Sequence, residues 1–141
     1  MAFLEGMNIS ASALSSQRTK MDIIADNIAN TDTVKYKRKY VVFEQKPGSF
    51  QTVLNSVIGQ STANFKGGVQ ISHIGEDESL GDLIYDPDHP SADENGYFEA
   101  SNVDVTTEMV EMISAYRSYE ANITALNTYK DMAVKALEIG L

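Results

Sequence analysis

The sequence predicts an α+β protein in which long N- and C-terminal helices form a coiled-coil-like pair around a small β-rich middle segment. Helix-breaking residues are concentrated in the middle: all three prolines lie within residues 47–90, whereas residues 7–46 and 97–139 contain neither Gly nor Pro. Apolar residues recur every seven positions near both ends, and they alternate with polar residues in between. We therefore expect an N-terminal axial helix in residues 1–34, a β-rich segment in 35–101 and a C-terminal axial helix in 102–141.

The N-terminal segment carries a narrow apolar stripe. Its members are spaced by seven residues, with one further residue beside them: Met7, Leu14, Met21, Ile24 and Ile28. This spacing lines one face of a helix that packs against another helix. Asn8 or Ser10 is expected to cap its start, and the polar run 27–31 is expected to end it, since Asn tolerates the left-handed conformation at helix C-termini.

The C-terminal segment carries a longer stripe at two heptad positions. Its apolar members are Val105, Met109, Met112, Tyr116, Tyr119, Ile123, Leu126 and Leu137. Asp104 is a suitable N-cap, and a helix from there to Ile139 would be about 50 Å long. Such stripes serve either a helix pair within one chain or an interface between subunits, and periodicity alone favours the former.

The middle segment predicts short strands. Three stretches are rich in β-forming or alternating residues: 40–43, 69–74 and 80–85. Residues 50–58 fit a short amphipathic helix or a strand equally well. Residues 88–99 predict a polar loop with a turn at Asn95-Gly96.

Composition excludes several classes of partner. The net charge of −9 argues against nucleic acid and against direct binding to anionic lipid, because both need Lys and Arg. The cationic run 35–39 is a local exception, and we interpret it as a solvated strand edge or loop. Residues 1–14 predict neither a cleavable signal peptide nor a membrane span.

No constellation of residues predicts catalysis or cofactor binding. The chain has no cysteine and two histidines, of which His73 is expected at the surface. His89 lies in the segment 86–90 with two aspartates, but two prolines restrict its backbone, so a loop turn is favoured over a metal site. The acidic run 76–78 predicts a solvated cluster of charges. We therefore expect no enzyme activity, no metal and no cofactor.

Both ends of the chain resemble flagellar axial proteins, the family of rod, hook and hook-associated subunits. The N-terminal resemblance lies in residues 12–21 and 27–30 and in Tyr36-Lys37. The C-terminal resemblance lies in residues 102–104, 108–110 and 117–122.

Within that family the chain is similar to the proximal-rod members. This similarity lies in residues 7–12, 85–90, 96–97 and 135–140, so the resemblance covers nearly the whole chain. Two positions depart from the family pattern. Lys35 stands where members commonly carry Gly, and Ser101 stands where a Pro often precedes the Asn-Val-Asp stretch.

The resemblance implies a structural subunit that polymerises helically into the rod, forming an export channel and a drive shaft that transmits motor torque. Its implied partners are other copies, other rod subunits, proteins at the junction of the membrane ring and export gate, and the type III export apparatus. The two apolar stripes would then form the assembly interface in the cell-envelope space. The alternatives are another axial subunit or a cytoplasmic helical chaperone of flagellar export.

Overall fold

The computed structural model of the protein describes residues 2–46 and 67–139. Its elements in chain order are α1 (Ala2–Ala29), β1 (Lys39–Gln45), β2 (Val69–Glu76), β3 (Leu83–Tyr85), β4 (Tyr97–Glu99) and α2 (Val105–Ile139). Two long helices and a small β-rich middle confirm the predicted α+β class. The stretch 50–58, which the sequence left open, lies outside the described residues.

Helix α1 begins before Asn8 and Ser10, so the caps predicted at those residues are wrong. The helix continues through Gly6 towards its N-terminus, and Glu5 in the first turn complements the helix dipole. A Cβ at Gly6 would lie 2.6 Å from the ring of Tyr129, so that ring would have to shift for any larger residue. The predicted position of the end is confirmed, since the helix stops at Ala29. The predicted cause is wrong, because among the described non-glycine residues only Lys35 has a positive φ. Asn30 instead donates through Nδ2 to the carbonyl of Asp26, 2.8 Å away.

Helix α2 begins where the sequence predicts. Asp104 accepts a hydrogen bond at Oδ1 from the Thr106 amide, 3.0 Å away, and one at Oδ2 from the Thr107 hydroxyl, 2.6 Å away. The bond from the Thr106 amide satisfies a backbone donor that the first turn of a helix leaves without a partner. The helix then runs for 35 residues without interruption.

The strands form two separate two-stranded sheets, β1 with β2 and β3 with β4. The Lys46 amide donates to the Gly68 carbonyl and the Asp77 amide donates to the Arg38 carbonyl, each at 2.8 Å, so β1 and β2 are antiparallel. Strands β3 and β4 are also antiparallel, with Ile84 opposite Phe98.

Strand β4 lies where the sequence predicts only a polar loop. The predicted turn is present, and Gly96 has a φ of 78°, which suits glycine. This turn brings Tyr97 back beside Tyr85, with ring centroids 5.0 Å apart. Cross-strand aromatic contact stabilises a ribbon that is too short to be recognised from its alternation.

The chain divides into two compact units, each containing part of both helices. One contains the described residues 2–18, 43–46, 67–72 and 117–139, and the other contains 19–42 and 73–116. In the first unit the helices meet at Gly6 and Tyr129, and in the second they meet at Asn27 and Glu108. The three consecutive segments predicted from the sequence remain a prediction about domain organisation.

The deeply buried side chains are unusually polar. Among the described residues, the buried apolar side chains are Ile24, Val103 and Ala115, and the buried polar ones are Ser10, Ser16, Asn27 and Glu108. Seventeen large apolar side chains of the described part are exposed, so much of the apolar surface has no cover within the subunit.

Lys35 occupies a backbone conformation that normally requires glycine. Its φ of 57° lies in the left-handed region, which is costly for a residue with a Cβ. This is the position where the related family commonly carries Gly. The conformation is held in place because the Lys35 amide donates to the Glu99 carbonyl, 3.1 Å away.

We expect the parent protein and two variants at position 35 to rank by the tolerance of residue 35 for positive φ. Lys35→Gly should leave the free energy of unfolding unchanged or raise it by up to about 1 kcal/mol, since relief of strain exceeds the added chain entropy. Lys35→Val should lower it by about 1–2 kcal/mol, because β-branched residues tolerate this region poorly. Urea unfolding followed by circular dichroism measures the ranking, and a valine variant as stable as the glycine variant would contradict it.

We expect the cap at Asp104 to make stability depend on pH. The Thr107 hydroxyl and the Thr106 amide donate to its carboxylate and hold the pKa of Asp104 below the ordinary value of 3.8. A lowered folded-state pKa stabilises the fold above the unfolded pKa, and that stabilisation disappears as the pH falls through the folded pKa. Asp104→Ala should therefore be less stable than the parent at pH 7, and the gap should narrow below pH 3.8. Thermal unfolding across this range tests it, with Asp104→Asn as a cap that does not titrate.

Candidate functional site

The most deeply buried polar side chains lie where α1, the start of β1 and α2 meet. Asn27 and Glu108 are both 0% exposed. Asn27 donates through Nδ2 to Glu108 Oε2 at 2.9 Å and to the Lys39 carbonyl at 2.8 Å, and its Oδ1 accepts from the Lys39 amide at 2.9 Å. The side-chain amide of Asn27 thus pairs with the backbone of β1 while it holds the carboxylate of α2.

Arg38 supplies the opposite charge to this buried carboxylate. Its Nε donates to Glu108 Oε1 at 2.6 Å, and its Nη2 donates to Glu111 Oε1 at 3.0 Å. Burial alone would lower the pKa of Arg38, but the hydrogen bonds and negative charges of Glu108 and Glu111 outweigh burial and raise it. We call Asn27, Arg38 and Glu108 the polar junction.

The backbone before β1 is held from its other side by Asn102. The Arg38 amide donates to Asn102 Oδ1 at 2.7 Å, and Asn102 Nδ2 donates to the carbonyls of Asp77 and Ser79 at 2.9 and 3.0 Å. Asn102 and Asn27 therefore fix the backbone of two consecutive residues, Arg38 immediately before β1 and Lys39 at its start. Both use donor and acceptor atoms, so neither amide is buried at a cost.

The interpretation of the cationic run 35–39 as a solvated edge is wrong for most of its side chains. Lys37 donates to Glu99 Oε1 at 2.7 Å, and Lys39 donates to Asp26 Oδ2 at 3.2 Å. The hydrogen bond from Lys37 lowers the pKa of Glu99. These acidic partners lie at distant positions in the sequence, so local composition gave no sign of the pairing.

The arrangement is that of a structural junction. Within the described ranges 2–46 and 67–139, no group of three His, Cys, Asp or Glu residues could hold a metal ion. A cleft of about 200 Å³ beside the junction is lined by Lys20, Arg38, Glu111 and neighbouring residues. Within it, Glu111 forms ion pairs with both Lys20 and Arg38. No helix in the described part of the chain is long and apolar enough to cross a membrane.

The histidines take the positions expected for surface and turn residues. His73 is exposed. His89 stacks on Phe98 with ring centroids 4.2 Å apart, and its Nδ1 accepts from the Ser91 amide at 3.1 Å. The segment around it is therefore a closed turn, as predicted.

The structure separates the candidate assembly residues into two groups. The covered group is half-buried, except for the fully buried Ile24, and comprises Met7, Leu14, Met21, Ile24, Ile28, Val105, Met112, Tyr119 and Leu126. The uncovered group is 38–73% exposed and comprises Met109, Tyr116, Ile123 and Leu137. One heptad position of α2 is therefore covered within the subunit and the other is largely open.

Helix α2 has a second heptad position that faces inward, and it lies one residue before the apolar position of Met109, Tyr116 and Ile123. The inward residues there are Glu108 and Ala115, which are buried, and Asn122 and Tyr129, which are half-buried. A search for apolar residues overlooks this position because it holds an acid, an alanine and an amide. Asn27 and Glu108 nevertheless lie in the stretches that carry the family resemblance, and that overlap is the signal that could have found them.

Two family models match segments that contain two of the three junction residues. The model described as "Flagella basal body rod protein" matches residues 7–37, and the model described as "Flagellar basal body rod FlgEFG protein C-terminal" matches residues 94–139. The first range contains Asn27 and the second contains Glu108. The matched segments therefore define the class as flagellar basal-body rod proteins.

Individual relatives narrow this class. The flagellar basal-body rod protein FlgC of Bacillus subtilis (strain 168) is 45% identical, with 99% of both chains covered. The FlgC proteins of Salmonella typhimurium and Borreliella burgdorferi are 40% and 37% identical, and each alignment covers at least 98% of both chains. The chain belongs to the FlgC family of flagellar basal-body rod proteins. The resemblance read from the sequence is confirmed, and the chain is a structural subunit of the rod.

We expect removal of the buried carboxylate to destabilise the subunit strongly. Glu108→Ala leaves Arg38 and Asn27 without their partner, and breaking a buried pair on one side costs about 3–5 kcal/mol. Because Arg38 keeps Glu111 and some contact with water, a loss near 3 kcal/mol is expected. Urea unfolding of the free subunit measures it. The control Glu120→Ala, at an exposed position of the same helix, should change stability by less than about 0.5 kcal/mol, and equal effects of both variants would contradict the role of the junction.

Proposed function

We propose that this rod subunit polymerises helically through an outer apolar face of α2. This face consists of Met109, Ile113, Tyr116 and Ile123, which follow one another at intervals of four, three and seven residues. Their exposures are 57%, 54%, 58% and 38%. The exposure of these four large side chains along one side of a helix is the observation that carries the proposal.

A helix with two apolar faces needs two partners. A surface helix of a monomeric protein buries one apolar stripe and shows a polar face to water. In α2 the inward stripe is covered within the subunit, whereas the outer apolar face is only about half covered. Completing the burial of each outer side chain would gain about 1 kcal/mol, since full burial gives about 1.5–3 kcal/mol and half the surface is already covered. Neighbouring rod subunits supply that cover in this proposal.

The wider role follows from membership of the rod family. We infer that the polymer forms part of the export channel and of the shaft that transmits torque, and that residues 1–34 and 102–141 act as its axial segments. Its partners are other copies, other rod subunits, proteins at the junction of the membrane ring and export gate, and the flagellar export apparatus. We infer that this role involves no enzymatic activity, which is supported by relatives named as rod proteins.

We expect a charge on the outer apolar face to abolish assembly while leaving the subunit folded. Ile123→Asp places a carboxylate where a neighbouring subunit would exclude water, which is costly for an unpaired charge. The free subunit should lose about 1–2 kcal/mol, because the cover of a partly exposed apolar side chain is lost and Asp is a weaker helix former than Ile, and it should remain folded. Cells carrying the variant should make and export the protein but lack rods and swimming.

Electron cryotomography of basal bodies and swimming assays measure this outcome. The matched control is Ile123→Val, which keeps an apolar side chain and should support swimming. Complete rods and normal motility in the aspartate variant, with the protein present at its usual level, would contradict the proposed interface.

A further inference from the structure

We propose that the polar junction determines which face of α2 packs against α1, and therefore which face is left open for other subunits. The second half of this statement rests on the proposed function. The first half concerns the isolated subunit alone. Asn27, Arg38 and Glu108 would then act as positioning residues that select one orientation of α2 about its own axis.

The sequence of α2 offers two competing inward faces. Both share Val105 and Met112, and they differ in whether the stripe continues through Glu108 and Ala115 or through Met109 and Tyr116. Exchanging them requires a rotation of about 50°, half the angle between adjacent residues of a helix. The face with Met109 and Tyr116 is the more apolar one, so hydrophobic burial alone favours it.

The structure adopts the less apolar face. Glu108 is 0% and Ala115 is 3% exposed, whereas Met109 and Tyr116 are 57% and 58% exposed. Some interaction must therefore outweigh the difference in apolar burial. The candidates within this unit are the hydrogen bonds of Glu108 and the small size of Ala115.

The hydrogen bonds of Glu108 distinguish sharply between the two orientations. Turning Glu108 away would remove the acceptor of Asn27 Nδ2, now at 2.9 Å, and that of Arg38 Nε, now at 2.6 Å. A buried donor that loses its partner pays the full cost of its desolvation. In the alternative orientation Met109 would occupy this place, and its side chain has no carboxylate to accept from Asn27 or Arg38. The two orientations thus differ by a set of buried bonds that only one of them can form.

Buried ionic pairs are better suited to select a structure than to stabilise it. Desolvation of the charges offsets most of their attraction, so apolar residues of similar size often replace them without loss of stability. An experiment can therefore distinguish whether the junction selects the orientation of α2 or only stabilises the fold. Removing only Glu108 breaks a pair, whereas replacing all three residues by apolar ones removes the preference and leaves no buried charge behind.

The absence of cysteine from the chain allows a direct test on the full-length free subunit. Ala115→Cys and Tyr116→Cys place single thiols on adjacent residues that point to different faces. A water-soluble maleimide should react at position 116 at least about tenfold faster than at position 115, because a buried thiol must wait for local opening. In the background Asn27→Leu, Arg38→Met and Glu108→Leu, the contrast should fall below about threefold or reverse.

A matched control removes a peripheral ion pair. Lys20→Met abolishes the contact between Lys20 and Glu111, whose side chains are 27% and 36% exposed, and should leave the labelling contrast unchanged. Circular dichroism and cooperative thermal unfolding establish that each background is folded.

The outcomes separate the junction from the alternatives. A folded triple variant that keeps the parent contrast would overturn the proposal and assign the orientation to Ala115. An unfolded triple variant would also overturn it, since the junction would then be a stabilising element. Because labelling requires no polymer, a collapsed contrast together with normal swimming of Ile123→Asp would uphold the orientation and reject the proposed assembly face.

Discussion

The carboxylate of Glu108 has no contact with solvent, so its charge must be neutralised and its oxygens must accept hydrogen bonds within the fold. Arg38 meets the first requirement and Asn27 helps to meet the second. Asn27 can do so only at the end of α1, where its amide also pairs with the backbone of Lys39. The end of α1, the beginning of β1 and the first turn of α2 are therefore fixed by one set of bonds.

This constraint explains why the inward face of α2 is poor in apolar residues. A helix that turns Glu108 inward also turns Ala115 inward, since the two are seven residues apart and lie on the same face. The larger apolar residues one position later, Met109 and Tyr116, then face outward. A subunit built in this way gives up burial within the chain and retains an apolar surface that a polymer can use.

The sequence predicts those features that depend on neighbouring residues. The distribution of breakers located both helices, Asp104 marked the start of α2, and the turn at Gly96 was recognised. The inward face of α2 was predicted only in part, because periodicity weighs apolar residues and is blind to a buried acid such as Glu108. The partners of Arg38 were not predictable, since they lie 70 and 73 residues away along the chain and depend on the complete fold.

Lys35 shows how far the junction governs the chain around it. A lysine with positive φ stores strain, and such strain persists only where the surrounding structure determines the conformation. Here the Lys35 amide is bonded to Glu99, and the Tyr36 carbonyl accepts from the Asn102 amide at 3.4 Å. The next residues deliver Arg38 to Glu108. The strained turn is thus the route by which the chain, on leaving α1, places the guanidinium beside the buried carboxylate, and the bonds formed there offset the unfavourable backbone conformation.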